Sequence, residues 1–159
     1  MPKITPCLWF DGDAQKAVTF YKSVFKDTKI DSVTHYGEDG PGRAGSVMTI
    51  AFRLNGQRFL ALNGGPEFKF TPAVSFIVNC KTQREVDFYW RKLSQGGRIV
   101  QCGWLTDKFG LSWQVVPMAM EKMLTDKDER KTRRVIRAIM RMKKLDLAKL
   151  RRAYKGEAE

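Results

Sequence analysis

The sequence is poor in side chains that hold metal ions and in long apolar segments that could cross a membrane. Its 159 residues include one histidine and three cysteines, and the cysteines show no Cys-x-x-Cys spacing. This pattern argues against a disulfide framework or a zinc knuckle, so we expect Cys7, Cys80 and Cys102 to be reduced thiols. Apolar runs such as 73–78 are far shorter than the roughly 18 residues of a membrane span, and no signal-like segment precedes Ile4. We therefore expect a cytoplasmic protein without a membrane part.

Positive charge is abundant but unevenly distributed. The formal net charge is +12, and +7 of it comes from residues 121–159, which hold 14 Lys and Arg against 7 Asp and Glu. The hydrophobic content of 43% is enough for a sizeable core in a chain of this length. We expect one domain over residues 1–120, followed by a basic helical extension over residues 121–159.

A short phrase occurs twice in the chain, at an offset of 68 residues. AQKAVTFY at 14–21 and TQREVDFY at 82–89 share Gln, Val, Phe and Tyr at matching positions. Each phrase follows an apolar stretch typical of a buried strand and carries an apolar stripe at helical spacing. The repeat therefore predicts the same strand and helix twice.

The starts of these helices and the chain beyond them carry further signals. Thr82 and Glu85 have the spacing of a capping box, and Asp11 and Asp13 are candidate caps of the first helix. Extended chain follows each helix, and the Asn55-Gly56 pair between two such runs predicts a hairpin. Each half reads strand, helix, three strands, which predicts an α+β fold with βαβββ modules at about 1–66 and 70–118.

The extension is predicted to contain two helices. The first is expected to start at Thr125 or Asp126, with Asp126 and Glu129 as a capping box. The second has Asp146 as its N-cap, with Leu145 and Leu150 spaced for a hydrophobic staple. The apolar stripe of the first helix consists of Val135, Ile139 and Met142, flanked by Ile136 and Met140.

Most of the chain carries a family resemblance, on the segments LWFDGDAQKAVTFYKSVF, SVMTIAFRLNGQRFLALNGGPEFKF, SFIVNC, VDFYWRKLSQGG, QCGWLTDKFGLSWQVVP and MKKLDLAKLRRAY. It resembles the vicinal oxygen chelate superfamily of glyoxalases, bleomycin-resistance proteins and extradiol dioxygenases. Within that superfamily it resembles the PhnB-like proteins, also described as 3-demethylubiquinone 3-methyltransferase-like. The resemblance implies tandem βαβββ modules in a curved eight-stranded fold with a cleft, a C-terminal helical hairpin and a homodimer.

The resemblance also implies positions for a divalent metal. Metal-dependent members supply His, Gln or Glu at places occupied here by Thr5, Ala61, Ala73 and Gln114. Alanine cannot ligate a metal, and the single histidine, His35, lies on another strand, so we expect no metal and no other cofactor. S-adenosylmethionine usually needs a Gly-rich turn between a strand and a helix. The Gly-rich stretch GEDGPGRAG instead lies between two strands, and we interpret it as a mobile loop.

Strand alternation predicts which side chains line the cleft. Thr5, Cys7 and Trp9 should face it, while Leu8 and Phe10 back onto the first helix. Cys7 is the one candidate nucleophile, but no histidine or carboxylate is predicted beside it, which favours an inert thiol. The candidate ligand-binding residues are Cys7, Trp9, Phe59, Asn63, Ser75, Trp104, Phe109 and Gln114, on faces that also include Ala61, Ile77, Asn79 and Val116.

An apolar and aromatic cleft with a few amides favours binding of a small neutral or aromatic molecule. One alternative is an enzyme, either metal-independent, of the divalent-metal glyoxalase or dioxygenase type, or a ubiquinone-type methyltransferase. The other is a nucleic-acid or partner-binding module that uses the basic extension. Because no stacking aromatics are interleaved with its arginines, packing of the extension on its own domain or on a dimer partner is favoured.

Overall fold

The structure is a computed structural model that describes residues 3–157, and the chain forms two compact units, Met1–Phe70 and Thr71–Glu159. The first unit contains β1 (Cys7–Phe10), α1 (Ala14–Val24), β2 (Thr28–His35), β3 (Val47–Leu54) and β4 (Gln57–Asn63). The second contains β5 (Ser75–Cys80), α2 (Gln83–Leu93), β6 (Arg98–Ile99), β7 (Trp104–Thr106), β8 (Ser112–Pro117), α3 (Ala119–Leu124), α4 (Glu129–Met140) and α5 (Leu147–Lys155).

Both units have the same strand connectivity. The sheets run in the order β1-β4-β3-β2 and β5-β8-β7-β6. In each sheet the first strand pairs in parallel with the last, and the other neighbours are antiparallel. The helix after the first strand belongs to the long connection that a parallel pair requires. The predicted α+β fold of two βαβββ modules with C-terminal helices is confirmed.

The first unit buries one face of its sheet under α1. The predicted stripe of this helix is fully buried, and the ring of Tyr21 stacks on Phe52, which in turn stacks on Phe59. The predicted hairpin joins β3 and β4, where Asn55 and Gly56 both have positive φ (46° and 82°) as a type I′ turn requires.

The N-terminus of α1 is capped differently from the prediction. Asp13 is the N-cap residue, but its carboxylate makes no cap bond and instead accepts from Lys16 Nζ at 2.8 Å. The cap bond comes from the end of β4, where Asn63 Oδ1 accepts from the Ala14 N–H at 2.9 Å. Because β4 lies beside β1, the amide of Asn63 reaches the helix that follows β1.

The N-terminus of α2 is capped from within its own sequence. Thr82 Oγ1 accepts from the Glu85 N–H at 3.2 Å, as predicted. The other half of the capping box is shifted by one residue, since the Glu85 carboxylate accepts from the N–H of Lys81 rather than of Thr82. The helix ends at Leu93, just before the Gln-Gly-Gly segment.

The extension contains three helices, one more than predicted. The short α3 precedes the predicted pair, and α4 begins at Glu129, later than expected. Asp126 is not its cap, because the Asp126 carboxylate binds the Asp128 N–H and the Tyr154 hydroxyl. Asp128 caps α4 instead, and Asp146 caps α5 as predicted.

The extension has its own apolar cluster and is bonded to the second unit. The predicted staple residues Leu145 and Leu150 lie fully buried in this cluster. The Cys102 and Gly103 N–H groups donate to the Met142 and Lys143 carbonyls at 2.8 and 2.7 Å. The extension therefore packs on its own unit, one of the two arrangements expected. No helix in the described part of the chain, residues 3–157, has the length and apolar character of a membrane span. The buried members of the cluster are Met123, Val135, Ala138, Leu145, Leu147 and Leu150.

Candidate functional site

The second sheet brings together the predicted site residues Ser75, Trp104 and Gln114. Gln114 on β8 pairs with Ile77 on one side and with Trp104 on the other, so these side chains share the sheet face away from α2. The Gln114 amide donates to the Ser75 hydroxyl at 2.9 Å. This face, which we name the second open face, therefore combines an indole, an aliphatic side chain that is 55% exposed and a fixed amide.

Ser112 belongs to the same face and was not among the predicted site residues. It pairs with Ser75 and is 1% exposed, and its hydroxyl is the one buried side-chain N or O atom without a hydrogen-bond partner among residues 3–157. Alternation could have found Ser112, which lies two residues before Gln114.

A buried carboxylate shapes the turn beside this face. Asp107 Oδ1 accepts from the Phe109 and Leu111 N–H groups, and Oδ2 accepts from the Trp113 indole at 2.9 Å. The Asp107 side chain thus fixes the turn that carries Phe109, a predicted site residue. Phe109 is half-buried, with Lys108 Nζ 5.4 Å from its ring centroid.

The first sheet presents a second set of predicted residues, on the face away from α1. Cys7 pairs with Leu60, and Trp9 pairs with Leu62, so these four share what we name the first open face. The Trp9 indole donates to the Gly65 carbonyl at 2.8 Å, and its ring meets Phe68 edge-on at 5.0 Å. The placement of Cys7 and Trp9 on this face, with Leu8 and Phe10 buried behind it, is confirmed.

Three predicted cleft residues lie on the opposite face of the first sheet. Ala61 pairs with the buried Leu8 and Asn63 with the buried Phe10, while Phe59 stacks on Phe52 under α1. Their expected orientation was wrong by one residue of register, so Leu60 and Leu62 take the open positions. β4 is apolar at every position from Phe59 to Leu62, and alternation therefore left its register undetermined.

The positions implied for a metal do not fit one. Ala61 faces the helix, Ala73 is exposed, and neither has a donor atom. Thr5 is half-buried, and the Gln114 amide nitrogen is engaged with Ser75. Within residues 3–157 no three His, Cys, Asp or Glu side chains come close enough to hold a metal ion.

The cysteine thiols are free in the described structure. Partial burial raises the pKa of the Cys7 thiol, which keeps it protonated and poorly nucleophilic near neutral pH. Burial, and then the charge of Glu85, raises the pKa of Cys80 to about 12. Neither thiol has the electropositive surroundings of a catalytic cysteine.

Asn63 lies at a cavity that the sequence did not predict. The cavity has a volume of about 290 Å³, beside the N-terminus of α1. Asn63 Nδ2 donates to Gln15 Oε1, and the backbone carbonyl of Asn63 accepts from the Tyr36 hydroxyl. Only glycine fits at Gly42, where a Cβ would lie 2.3 Å from the Tyr36 ring. The lining residues are Asp11, Gly12, Gln15, Tyr36, Pro41, Gly42, Ser46, Val47, Asn63, Gly64 and Gly65.

Comparison with known proteins gives one family and a set of similar folds. The profile of the family described as 3-demethylubiquinone-9 3-methyltransferase matches residues 2–116. A PhnB protein from Bacillus cereus, named as a 3-demethylubiquinone-9 3-methyltransferase, is 41% identical, with a TM-score of 0.67 over 73% of this chain and 99% of that one. No curated protein sequence gave a match.

Two more distant structures share the fold alone. A protein from Pseudomonas aeruginosa is 20% identical, with a TM-score of 0.60 over 74% of this chain and 98% of that one. The fosfomycin resistance protein FosX from Listeria monocytogenes is 13% identical, with a TM-score of 0.59 over 79% of this chain and 98% of that one.

Proposed function

We propose that this chain binds a small uncharged molecule, aromatic in part, on the second open face. The chain belongs to the 3-demethylubiquinone-9 3-methyltransferase family of PhnB-like vicinal oxygen chelate proteins. The observation that carries the proposal is the central row of this face, in which Trp104 and the exposed Ile77 flank Gln114, whose amide nitrogen is held by the Ser75 hydroxyl. The Gln114 amide oxygen would accept a hydrogen bond from a polar group of the ligand, and Trp104 and Ile77 would contact the apolar part. The central row of this face, Trp104, Gln114 and Ile77, carries no charge, which favours a neutral ligand.

Binding without the superfamily's divalent metal follows from the donor set. Ala61 and Ala73 stand at two of the implied ligand positions, and in the part of the chain that the structure describes no cluster of His, Cys, Asp and Glu substitutes for them. The Gly-rich stretch GEDGPGRAG joins β2 to β3 and so lies outside any strand-to-helix turn. No residue arrangement on this face favours methyl transfer or acid–base catalysis over binding.

The test is a thermal-shift screen of aromatic metabolites and antibiotics, with and without divalent ions. We expect a hit that raises Tm by about 2 °C or more without added metal. Trp104→Ala should abolish the shift. Gln114→Leu should weaken binding by about 3- to 10-fold, because it removes the amide that would bond the polar group of the ligand. The exposed-helix variant Ile136→Ala is the control.

Three results would contradict the proposal. They are a shift that needs a divalent ion, a shift unchanged in Gln114→Leu and Trp104→Ala, and turnover that is lost in Cys7→Ala. The last would favour the metal-independent enzyme. The homodimer implied by the family resemblance remains a prediction, for which sedimentation of the full chain is the measurement.

A further inference from the structure

A cavity of about 390 Å³ lies between α4 and α5 of the extension. Its volume falls within the range of small-molecule sites, about 300–1,000 Å³. The lining has two chemical characters, a basic wall of Arg141, Lys149 and Arg152 and an apolar floor of Ala138, Met142 and Ala153.

The two basic side chains that α5 contributes to this wall have no partner within residues 3–157. Four other cations of the extension have carboxylate partners: Lys131 pairs with Asp126, Arg133 with Glu129, Lys144 with Asp87, and Lys155 with Glu157. Lys149 and Arg152 make no side-chain hydrogen bond or ion pair in that part of the chain. Among residues 3–157, no carboxylate lines the cavity, so an anion would enter without displacing an acidic side chain of that part of the chain.

Lys149 lies in the first turn of α5, and the N-cap residue Asp146 accepts a hydrogen bond from the Lys149 backbone N–H. The cavity is lined by the C-terminal end of α4 and the middle of α5, so a bound anion would interact with the basic side chains rather than with a helix N-terminus.

We propose that this cavity binds a small organic phosphate. The basic wall would contact the phosphate oxygens, and the Ala138, Met142 and Ala153 floor would accept an apolar group of limited size. This site does not depend on the proposed function, because none of its residues belongs to either open face.

The test is titration of the full-length protein with phenyl phosphate, inorganic phosphate and benzyl alcohol at physiological salt, followed by amide chemical shifts. We expect phenyl phosphate to bind with a Kd of about 1 mM or tighter and to shift the amides of Ala138, Lys149 and Arg152. The double variant Lys149→Gln/Arg152→Gln should weaken binding by about 10-fold or more. Arg130→Gln/Arg137→Gln is the control, since it removes the same charge from α4 outside the cavity.

Four outcomes would overturn the proposal. The first is no phenyl phosphate binding up to about 10 mM. The second is equal weakening in both double variants, which would indicate only diffuse charge attraction. The third is inorganic phosphate or benzyl alcohol binding as tightly as phenyl phosphate, which would remove the role of the floor or of the wall. The fourth is salt-sensitive binding of duplex DNA without binding of phenyl phosphate, which would assign the face to nucleic acid.

Discussion

The two units share one topology but differ in how much sheet they contain. In the first unit β2 and β3 have eight residues each, and β3 pairs along most of its length with neighbours on both sides. In the second unit the corresponding β6 and β7 have two and three residues. The second sheet therefore makes few ladder hydrogen bonds on that side.

The extension supplies bonds where the second sheet is short. Between β6 and β7, Cys102 and Gly103 both have positive φ (61° and 84°), and their N–H groups donate to the carbonyls of Met142 and Lys143, in the segment that follows α4. Gly103 is required, because a Cβ there would meet Leu145 and the Val115 carbonyl at 3.0 Å. The first module therefore obtains its backbone hydrogen bonds from its own long hairpin, and the second obtains some of them from the added helical extension.

Removing the extension should have the largest effect. A chain that ends at Met120 leaves the Cys102 and Gly103 N–H groups without their acceptors and removes Leu145 from Gly103. We expect a loss of about 2–5 kcal/mol of unfolding free energy, from unmade hydrogen bonds and lost packing. Urea unfolding followed by hydrogen exchange would measure it, with the loss of protection concentrated in β6 to β8.

The first unit provides the control for that experiment. Amides of β3 and β4 should keep their protection in the truncated chain, because none of their hydrogen bonds involves the extension. Equal loss of protection in both units would contradict the expected difference between them and indicate a single cooperative fold. An unchanged unfolding free energy would mean that the extension only docks and does not stabilise.

Local sequence patterns predicted the elements better than the contacts between them. The stripe of α1, the Asn55-Gly56 turn and the Asp146 cap depend on a few neighbouring residues, and all three were found. The faces of β5 and β8 were also correct, because open positions such as Ile77 and Gln114 alternate there with buried ones.

The errors have a common physical origin in long-range contacts. The register of β4 was ambiguous because it is apolar on both faces. The cap of α1 was misassigned because it comes from Asn63, which lies 49 residues from Ala14 in the sequence. The cap of α4 was misassigned because the Asp126 carboxylate accepts from the Tyr154 hydroxyl, 28 residues away. The cavity at Tyr36 depends on the path of a glycine-rich loop, for which periodicity gives no information.

The two helix caps should differ in their effect on stability. Asn63→Ala removes three hydrogen bonds, to Ala14, Gln15 and Val47, that tie α1 to two strands. We expect a loss of about 2–3 kcal/mol, against about 1 kcal/mol for the local cap removed by Thr82→Ala. Thermal or urea unfolding of both variants gives the comparison. Equal losses would show that the connection from β4 adds nothing to an ordinary cap.

The smallest effect should come from the ion pair between Lys144 of the extension and Asp87 of α2. The hydrogen bond from Lys144, and then that from Gln83, lowers the pKa of the Asp87 carboxyl below its usual range. A carboxyl with a depressed pKa in the folded state adds stability above its unfolded pKa of about 3.9, and this is lost as pH falls through the folded value. Both side chains are nearly half exposed, so screening keeps the contribution small.

Lys144→Gln should therefore lower stability slightly at pH 7, and the difference from wild type should shrink as the pH falls below 3.9 or as salt is added. Arg53→Gln is the matched variant in the first unit, where the hydrogen bond from Arg53 lowers the pKa of Asp31 within the sheet. Only Lys144→Gln should speed hydrogen exchange at Cys102 and Gly103, because, of these two ion pairs, only Lys144–Asp87 joins the extension to the rest of its unit. If Arg53→Gln also speeds hydrogen exchange at Cys102 and Gly103, the protection of these two amides does not depend specifically on the ion pair between the extension and α2. The difference between the modules would then lie in strand length alone.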